Sequence, residues 1–481
     1  MMTTSGLNRR DFLFGASLAG VGAALSGCAT GRTKLGGSGS MSGFAAAPIR
    51  RLRVGVVGLG MRGTGWVGGF ASIPGVEVVA LCDLYADRVA RAQKEQLDAK
   101  KLPRAKLEFS GEEGWKKLCE SDLDLVVNAT PWALHAPIAL YAMEHGKHVA
   151  IEVPSAMTLD ECWALVETSE RTRRHCMQME NCCYGEAEMM SLNLVRQGVL
   201  GEIMHAEGAY IHDLRWLQYM KPEDGGYQGW WRLKWNMTHE GNPYPTHGLV
   251  PVMQAMNVNR GDRLECLTSL QCDQRSLDLY AEKKYGRGVG FAKMHPVCGD
   301  QSTTVVRTAL GKTIMVQHDV NSPHPYSRHN LVQGTKGVFR GINFVEKPED
   351  FIKNGNPVQF TWEDEKGEGT HEWFDFAKTQ AMREKYKHPL WRQMGEHALK
   401  MGGHGGMDTM LALRLCYCLQ LGLPLDMDVY DLAASCSLCE LSDVSCRNRG
   451  ESVDIPDFTR GGWKTAKPLG IESVDMSRMG A

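Results

Sequence analysis

Apolar residues fall in short runs separated by glycine and charge. Val54-Gly55-Val56-Val57 has strand length and is followed at once by Gly58-Leu59-Gly60-Met61-Arg62-Gly63. A second apolar run, Val76 to Cys82, ends at Asp83. The pattern predicts helices over Thr64–Ser72 and near Ala86–Lys100, a strand over Leu123–Ala129 and a helix from Trp132 to His145. A strand at Lys147–Glu152, a helix at Leu159–Thr172 and a strand around His175–Met179 follow. Alternation of this length predicts a parallel, doubly wound α/β sheet, with ligands bound beyond the carboxyl ends of its strands. Gly58–Gly63, Asp83, Thr130–His135 and Glu152–Pro154 then surround one crevice.

From Tyr184 the texture changes. A helix over Glu186–Arg196 precedes strand-like runs at Ile203–His212, Leu264–Cys272, Ser302–Ala309, Thr313–Asp319 and Asn330–Thr335. These predict an α+β domain with a mostly antiparallel open sheet. Leu214 to Pro251 reads as a long loop rich in Trp, Tyr, Gly and His, and loops of that length are usually functional. The expected organisation is a leader over 1–28, a flexible linker over 29–49, a dinucleotide-binding domain over 50–180 and a substrate domain over 181–481. Thr409–Leu421 reads as a late helix, and packing of a C-terminal helix back on the first domain is expected.

The glycine turn has a specific chemistry. Gly58 permits the tight turn, Gly60 lets backbone approach a pyrophosphate, and Gly63 lets the next helix pack on the strand. The helix N-terminus offers free N–H groups to phosphate. Asp83 lies 20 residues beyond Gly63, where a carboxylate accepts from a ribose hydroxyl. That favours NAD over NADP, a preference Arg62 leaves slightly open.

Composition adds limits. The formal net charge of −2 over 481 residues carries no nucleic-acid signature. Asn8-Arg9-Arg10-Asp11-Phe12-Leu13 has a twin-arginine pattern, and Leu25-Ser26-Gly27-Cys28 resembles a lipobox. The apolar stretch between them is shorter than the roughly 20 residues of a membrane span. Export through the twin-arginine route is expected, to the periplasm or cell envelope, with membrane attachment only through a lipid on Cys28. The other cysteines have no zinc spacing and read as buried thiols, so no metal is expected.

Two constellations carry candidate chemistry. Gly229-Trp230-Trp231-Arg232 and Gly241-Asn242-Pro243-Tyr244-Pro245-Thr246-His247-Gly248 combine what a sugar site needs: indole faces for C–H surfaces and polar groups for vicinal hydroxyls. His247 and Tyr244 can also move protons. Glu180-Asn181-Cys182-Cys183-Tyr184 lies where the last strand leaves the first domain. There Asn181 can contact ribose or carboxamide, and Tyr184 a substrate carbon.

These stretches, with Thr-Pro-Trp-Ala-Leu-His (130–135), Glu-Val-Pro (152–154) and Gly-Gly-His-Gly-Gly-Met-Asp (402–408), resemble the Gfo/Idh/MocA oxidoreductases and, within them, glycoside hydrolase family 109. That family comprises NAD-dependent α-N-acetylgalactosaminidases. The resemblance implies NAD contacts at Met61, Arg62, Asp83, Trp132, Ala133, Leu134, His135, Glu152, Val153 and Asn181. It implies contacts with an oligosaccharide or glycoconjugate substrate at Tyr210, Arg232, Tyr244, Pro245, Thr246, His247 and Tyr326. Tyr184 and His247 fall on the family's proton-transfer positions. Dehydrogenases of the superfamily usually have lysine where this chain has Val153, so His247 is expected to take the hydroxyl proton. The implied reaction is redox-neutral: oxidation at C3, removal of the C2 hydrogen by Tyr184, elimination, water addition and reduction, with retention. A net sugar oxidoreductase is the alternative reading. A homodimer is a further expectation.

Overall fold

The computed structural model describes residues 39–288, 290–341, 358–470 and 472–480. The twin-arginine and lipobox segment, with Cys28, lies outside the described residues.

The first sheet has six strands: β1 (Leu52–Val57), β2 (Val76–Asp83), β3 (Leu107–Ser110), β4 (Leu125–Asn128), β5 (His148–Ile151) and β6 (Cys176–Gln178). They lie in the order β3-β2-β1-β4-β5-β6, every pair parallel. Both faces are covered, which explains why the central strands read as continuous apolar runs. Val54 and Val56 pack with Trp66, Val67 and Phe70 of helix Met61–Ala71. Val57, Ala80 and Val126 pack the other way, with Leu118, Ile138 and Leu165. The strand order reverses between β1 and β4, and a crevice opens beyond their carboxyl ends. β3 is missing from the sequence reading because it is a short edge strand, largely exposed, with no apolar run.

The second sheet comprises β7 (Ile203–Ile211), β8 (Leu264–Gln271), β9 (Ser302–Thr308), β10 (Thr313–Asp319), β11 (Leu331–Gly334), β12 (Gly337–Gly341), β13 (Val358–Trp362) and β14 (Val453–Asp454). Its order is β13-β12-β11-β7-β10-β9-β8-β14, antiparallel except for the β7–β10 pair. Ile203, Ala206, Val306, Ile314, Val316 and Val332 alternate into a core shared with Leu249, Val252 and Met253 of helix Thr246–Ala255. That helix touches β7 backbone to backbone. A Cβ on Gly208 would lie 2.0 Å from Gly248 O, and one on Gly248 would lie 2.3 Å from Ala209 N. Glycine at both positions presses His247 against the strand that carries Tyr210.

Two expectations change. Leu214 to Pro251 is not one loop. It contains helices Arg215–Tyr219 and Trp231–Asn236 and the start of Thr246–Ala255, with Pro251 inside the last. A proline there forgoes one helical hydrogen bond, which burial of the helix outweighs. Residues 39–49, read as part of a flexible linker, are tied to the body. Met41 is buried and its N–H donates to Tyr430 Oη at 3.1 Å, Phe44 packs on the His175 ring, and Ile49 N–H donates to Leu419 O at 2.9 Å. Helix Met407–Leu421 packs on the first sheet, with Leu411, Leu415 and Leu419 in the same core as Val54 and Phe70. All described cysteines are free thiols, and among the described residues no helix is long and apolar enough to cross a membrane.

Candidate active site

The glycine turn has the shape a pyrophosphate needs. Gly58 has φ +86°, and a Cβ there would lie 2.7 Å from the Ala129–Thr130 backbone. A Cβ on Gly63 would lie 1.7 Å from Gly58 O, so strand and helix meet without side chains. At Gly60 a Cβ would meet nothing within 4 Å, which leaves open space beside the turn. Helix Met61–Ala71 has no side-chain cap, so its first N–H groups remain for a phosphate. Asp83 is buried; Oδ2 accepts from Leu59 N–H at 2.7 Å and Oδ1 from Tyr85 N–H at 3.0 Å. The carboxylate therefore braces the glycine turn as well as facing the ribose end. This cradle fits NAD.

Arg62 joins the two halves of the protein. Its Nε lies 2.8 Å from Glu152 Oε1, and Nη1 and Nη2 form a fork on Asp408 at 2.5 and 3.0 Å. Its guanidinium lies 4.7 Å from the Trp66 ring centroid, and Trp66 Nε1–H donates to Glu152 Oε1 at 2.6 Å. Asn181 Nδ2 donates to Asp408 Oδ1 at 2.7 Å, and His404 Nδ1 lies 2.9 Å from Asp408 Oδ2. Burial would raise Asp408, but Arg62 and His404 hold its carboxyl well below the ordinary range. Asp408 and His404 sit in the quoted Gly-Gly-His-Gly-Gly-Met-Asp stretch, but nothing local in the sequence pairs them with Arg62.

The residues after β4 divide. Ala133 and Leu134 are exposed at the crevice, while Trp132 is buried. His135 turns inward, with Nδ1 2.8 Å from Pro154 O and Nε2 2.7 Å from Thr130 O. Its ring ties together the loops after β4 and β5, so a cofactor contact by the imidazole is not what the structure offers. Val153 is buried beside Glu152, in a cis peptide bond with Pro154.

The sugar-side residues converge on Tyr210. Its ring centroid lies 4.7 Å from Tyr244, 4.9 Å from His247, 4.7 Å from His212 and 6.2 Å from Tyr326. Trp132 joins through Trp231 at 4.6 Å and Tyr244 at 6.1 Å. The Arg232 guanidinium sits 5.4 Å from the Trp132 ring and 5.1 Å from Tyr244. Arg232 is buried, yet its Nε and Nη2 have no hydrogen-bond partner among the described residues. His212 Nε2 and His318 Nε2 are also buried and unpartnered, and burial lowers His212 to about 3. Such a set of buried polar atoms without partners is costly unless a ligand supplies them. Pro245 begins the helix that carries Thr246 and His247, and Thr246 is fully buried.

His247 has a partner the sequence reading left without a role. Its Nδ1 lies 2.7 Å from Oε1 of Glu180, whose side chain is fully buried. Glu180 Oε1 also accepts from Cys182 N–H at 3.0 Å. Burial pushes the Glu180 carboxyl up, but His247 overrides that and holds it below its ordinary value. Glu180, Cys182 and His247 bring an oxygen, a sulfur and a nitrogen within 4.8 Å of one another. Arg328 Nη1, however, lies 3.2 Å from Cys182 Sγ, and burial raises the thiol well above its usual value. A guanidinium beside a protonated thiol suits a proton-transfer pair better than a cation site.

Tyr184 is placed differently from its expected role. Its hydroxyl donates to Asp426 Oδ2 at 2.9 Å, and Asp426 is forked by Arg414 Nε and Nη2 at 3.0 and 2.6 Å. Burial, then Asp426, raises the phenol well above its ordinary value. Tyr184 packs in the core with Met189, Leu390 and Trp391. The structure does not bring its hydroxyl together with His247, so removal of a substrate hydrogen by Tyr184 is not supported.

Residues 52–179 match the oxidoreductase family with an NAD-binding Rossmann fold. Solved structures share the two-domain fold. An oxidoreductase domain protein from Kribbella flavida gives a TM-score of 0.61 at 18% identity, over 85% of this chain and 100% of that one. A levoglucosan dehydrogenase in complex with NADH and levoglucosan gives 0.58 at 17% identity, over 84% and 100%. Fold and crevice define an NAD-dependent protein of the Gfo/Idh/MocA class. Residues 184–465 match the glycosyl hydrolase 109 C-terminal domain. A family 109 protein of Shewanella amazonensis is 44% identical over 97% of this chain and 99% of its own length. One from Bacteroides fragilis is 45% identical over 90% of each. The chain belongs to glycosyl hydrolase family 109.

Proposed function

We propose that this chain hydrolyses terminal α-N-acetylgalactosamine, or a related α-galactosaminide, with retention and no net redox change. The observation that carries the reading is the buried Glu180–His247 pair set in a ring of phenols beside Arg232, whose Nε and Nη2 have no partner among the described residues. Val153 in place of a lysine agrees with it, because His247 then has the hydroxyl proton to itself.

The chemistry that NAD supplies when bound is reversible removal of hydride from a sugar carbon, here C3. Glu180 accepts from Nδ1–H of His247 and leaves Nε2 as the base for the C3 hydroxyl. The same carboxylate stabilises the imidazolium that forms. Arg232 donates to sugar oxygens through Nε and Nη2, and the Tyr210, Tyr244 and Tyr326 rings take the C–H faces. Once C3 is a ketone the C2 hydrogen is acidic, the glycosidic oxygen leaves by elimination, and water adds at C1 as C2 regains a proton. C3 is then reduced back to the alcohol by the hydride first removed, so the redox change is nil. Tyr184 is tied to Asp426, and burial raises the Tyr210, Tyr244 and Tyr326 phenols. We assign the second proton transfer to His404, half-exposed and with its Nδ1 within hydrogen-bond distance of both Asp408 and Arg62. We further propose export by the twin-arginine route with NAD already loaded.

The test is a screen of nitrophenyl glycosides without added NAD, with NMR of the product in D₂O. Release of retained sugar carrying deuterium at C2 is expected. Accumulation of NADH and a keto sugar would mark a net oxidoreductase, and sugar release without C2 exchange would refute the elimination.

A further inference from the structure

The segment that carries Arg232 touches the nucleotide crevice at two separate places. At one end, Gln228 Nε2 donates to Tyr85 Oη at 2.6 Å, and Gln228 Oε1 lies 3.5 Å from Arg88 Nη2. Tyr85 and Arg88 follow directly on Asp83 at the end of β2, and Arg88 Nη1 lies 3.8 Å from the Asp83 carboxylate. At the other end, Trp231 packs on Trp132 just after β4, and Arg232 Nη1 donates to Tyr227 Oη at 3.4 Å. β2 and β4 flank β1, whose glycine turn forms the floor of the crevice. Residues 227–232 therefore bridge the crevice from its ribose side to its sugar side. The backbone at the bridge is sharply turned, with φ +61° at Gly229 and +52° at Trp230.

We propose that residues 227–232 are a strap across NAD, fastened at the adenosine end by Gln228 on Tyr85 and Arg88. NAD cannot leave without breaking the Gln228 contacts. Lifting the strap also withdraws Trp231 and Arg232, so the sugar cage exists only while the cofactor is enclosed. Gln228, Tyr85 and Arg88 are positioning residues, and they act on retention.

The test follows exchange of bound NAD against isotopically labelled NAD in purified holoenzyme, by mass spectrometry of nucleotide released on denaturation. Gln228→Ala removes both fastening bonds and should speed exchange at least tenfold. Tyr85→Phe removes one hydroxyl at the surface and should speed it severalfold, even if Gln228→Ala folds poorly. Thermal unfolding of the NAD-free proteins should be unchanged. Exchange at the wild-type rate in Tyr85→Phe and in any folded Gln228→Ala would overturn the strap. So would faster exchange matched by an equal loss of stability in the NAD-free proteins.

Discussion

Glu180→Gln isolates the charge behind His247 while keeping the shape of the side chain. The pair sits at 2.7 Å, with Glu180 fully buried, so its charge centres are about 4 Å apart once His247 is protonated. At an effective dielectric of about 20, that attraction is worth about 4 kcal/mol. A transition state with half the proton transferred would lose about 2 kcal/mol, and a fully formed imidazolium the whole amount. At about 1.4 kcal/mol per decade, kcat should fall between about 30-fold and 1000-fold. The amide oxygen can still accept from Cys182 N–H, so the turn over Asn181–Tyr184 should survive. The assay is kcat on a nitrophenyl α-N-acetylgalactosaminide, with bound NAD quantified in the same preparation. A kcat within threefold of wild type, with full NAD content, would refute the assignment of His247 and Glu180 as the base.

Tyr184→Phe should cost stability more than chemistry, because the hydroxyl's partner Asp426 keeps its fork from Arg414. A loss of about 1–2 kcal/mol in urea unfolding is expected, with kcat within a few-fold of wild type; a kcat loss above 100-fold with intact folding would restore Tyr184 to the chemistry. Acid should destabilise the fold before most carboxylates titrate. Burial lowers His148 and His388 from 6.5 to about 4 and His175 to about 3, and each ring accepts a backbone N–H. Their stabilisation is complete above pH 6.5 and is lost as pH falls toward their folded values, at about 1 kcal/mol each by pH 5.5. Urea midpoints measured at pH 7.5 and 5.5 check this, and equal midpoints would contradict it. Changing Arg9 and Arg10 to Lys should hold precursor in the cytoplasm, and Cys28→Ala should abolish lipid labelling; fractionation and labelling like wild type would remove the export proposal.

Much of this protein was written in local pattern. Continuous apolar runs marked five of the six strands of the first sheet, and the spacing Gly58–Gly63 to Asp83 marked the nucleotide end of its crevice, because both depend on residues close in the chain. The aromatic and polar cluster around 229–248 was equally legible as residue types in one segment. Pairing across long separations was not. Glu180 meets His247 only because Gly208 and Gly248 let a helix lie directly on β7. Asp408 reaches Arg62 only because helix Met407–Leu421 returns to the first sheet. Tyr184, two residues from Cys182 in a motif that reads as catalytic, sends its hydroxyl to Asp426 instead of toward His247. A sequence motif places a backbone. Where a side chain on that backbone points is decided by whichever buried charge or cavity the rest of the fold brings against it, and a buried hydroxyl beside the Asp426–Arg414 pair takes the hydrogen bond that burial would otherwise leave unmade.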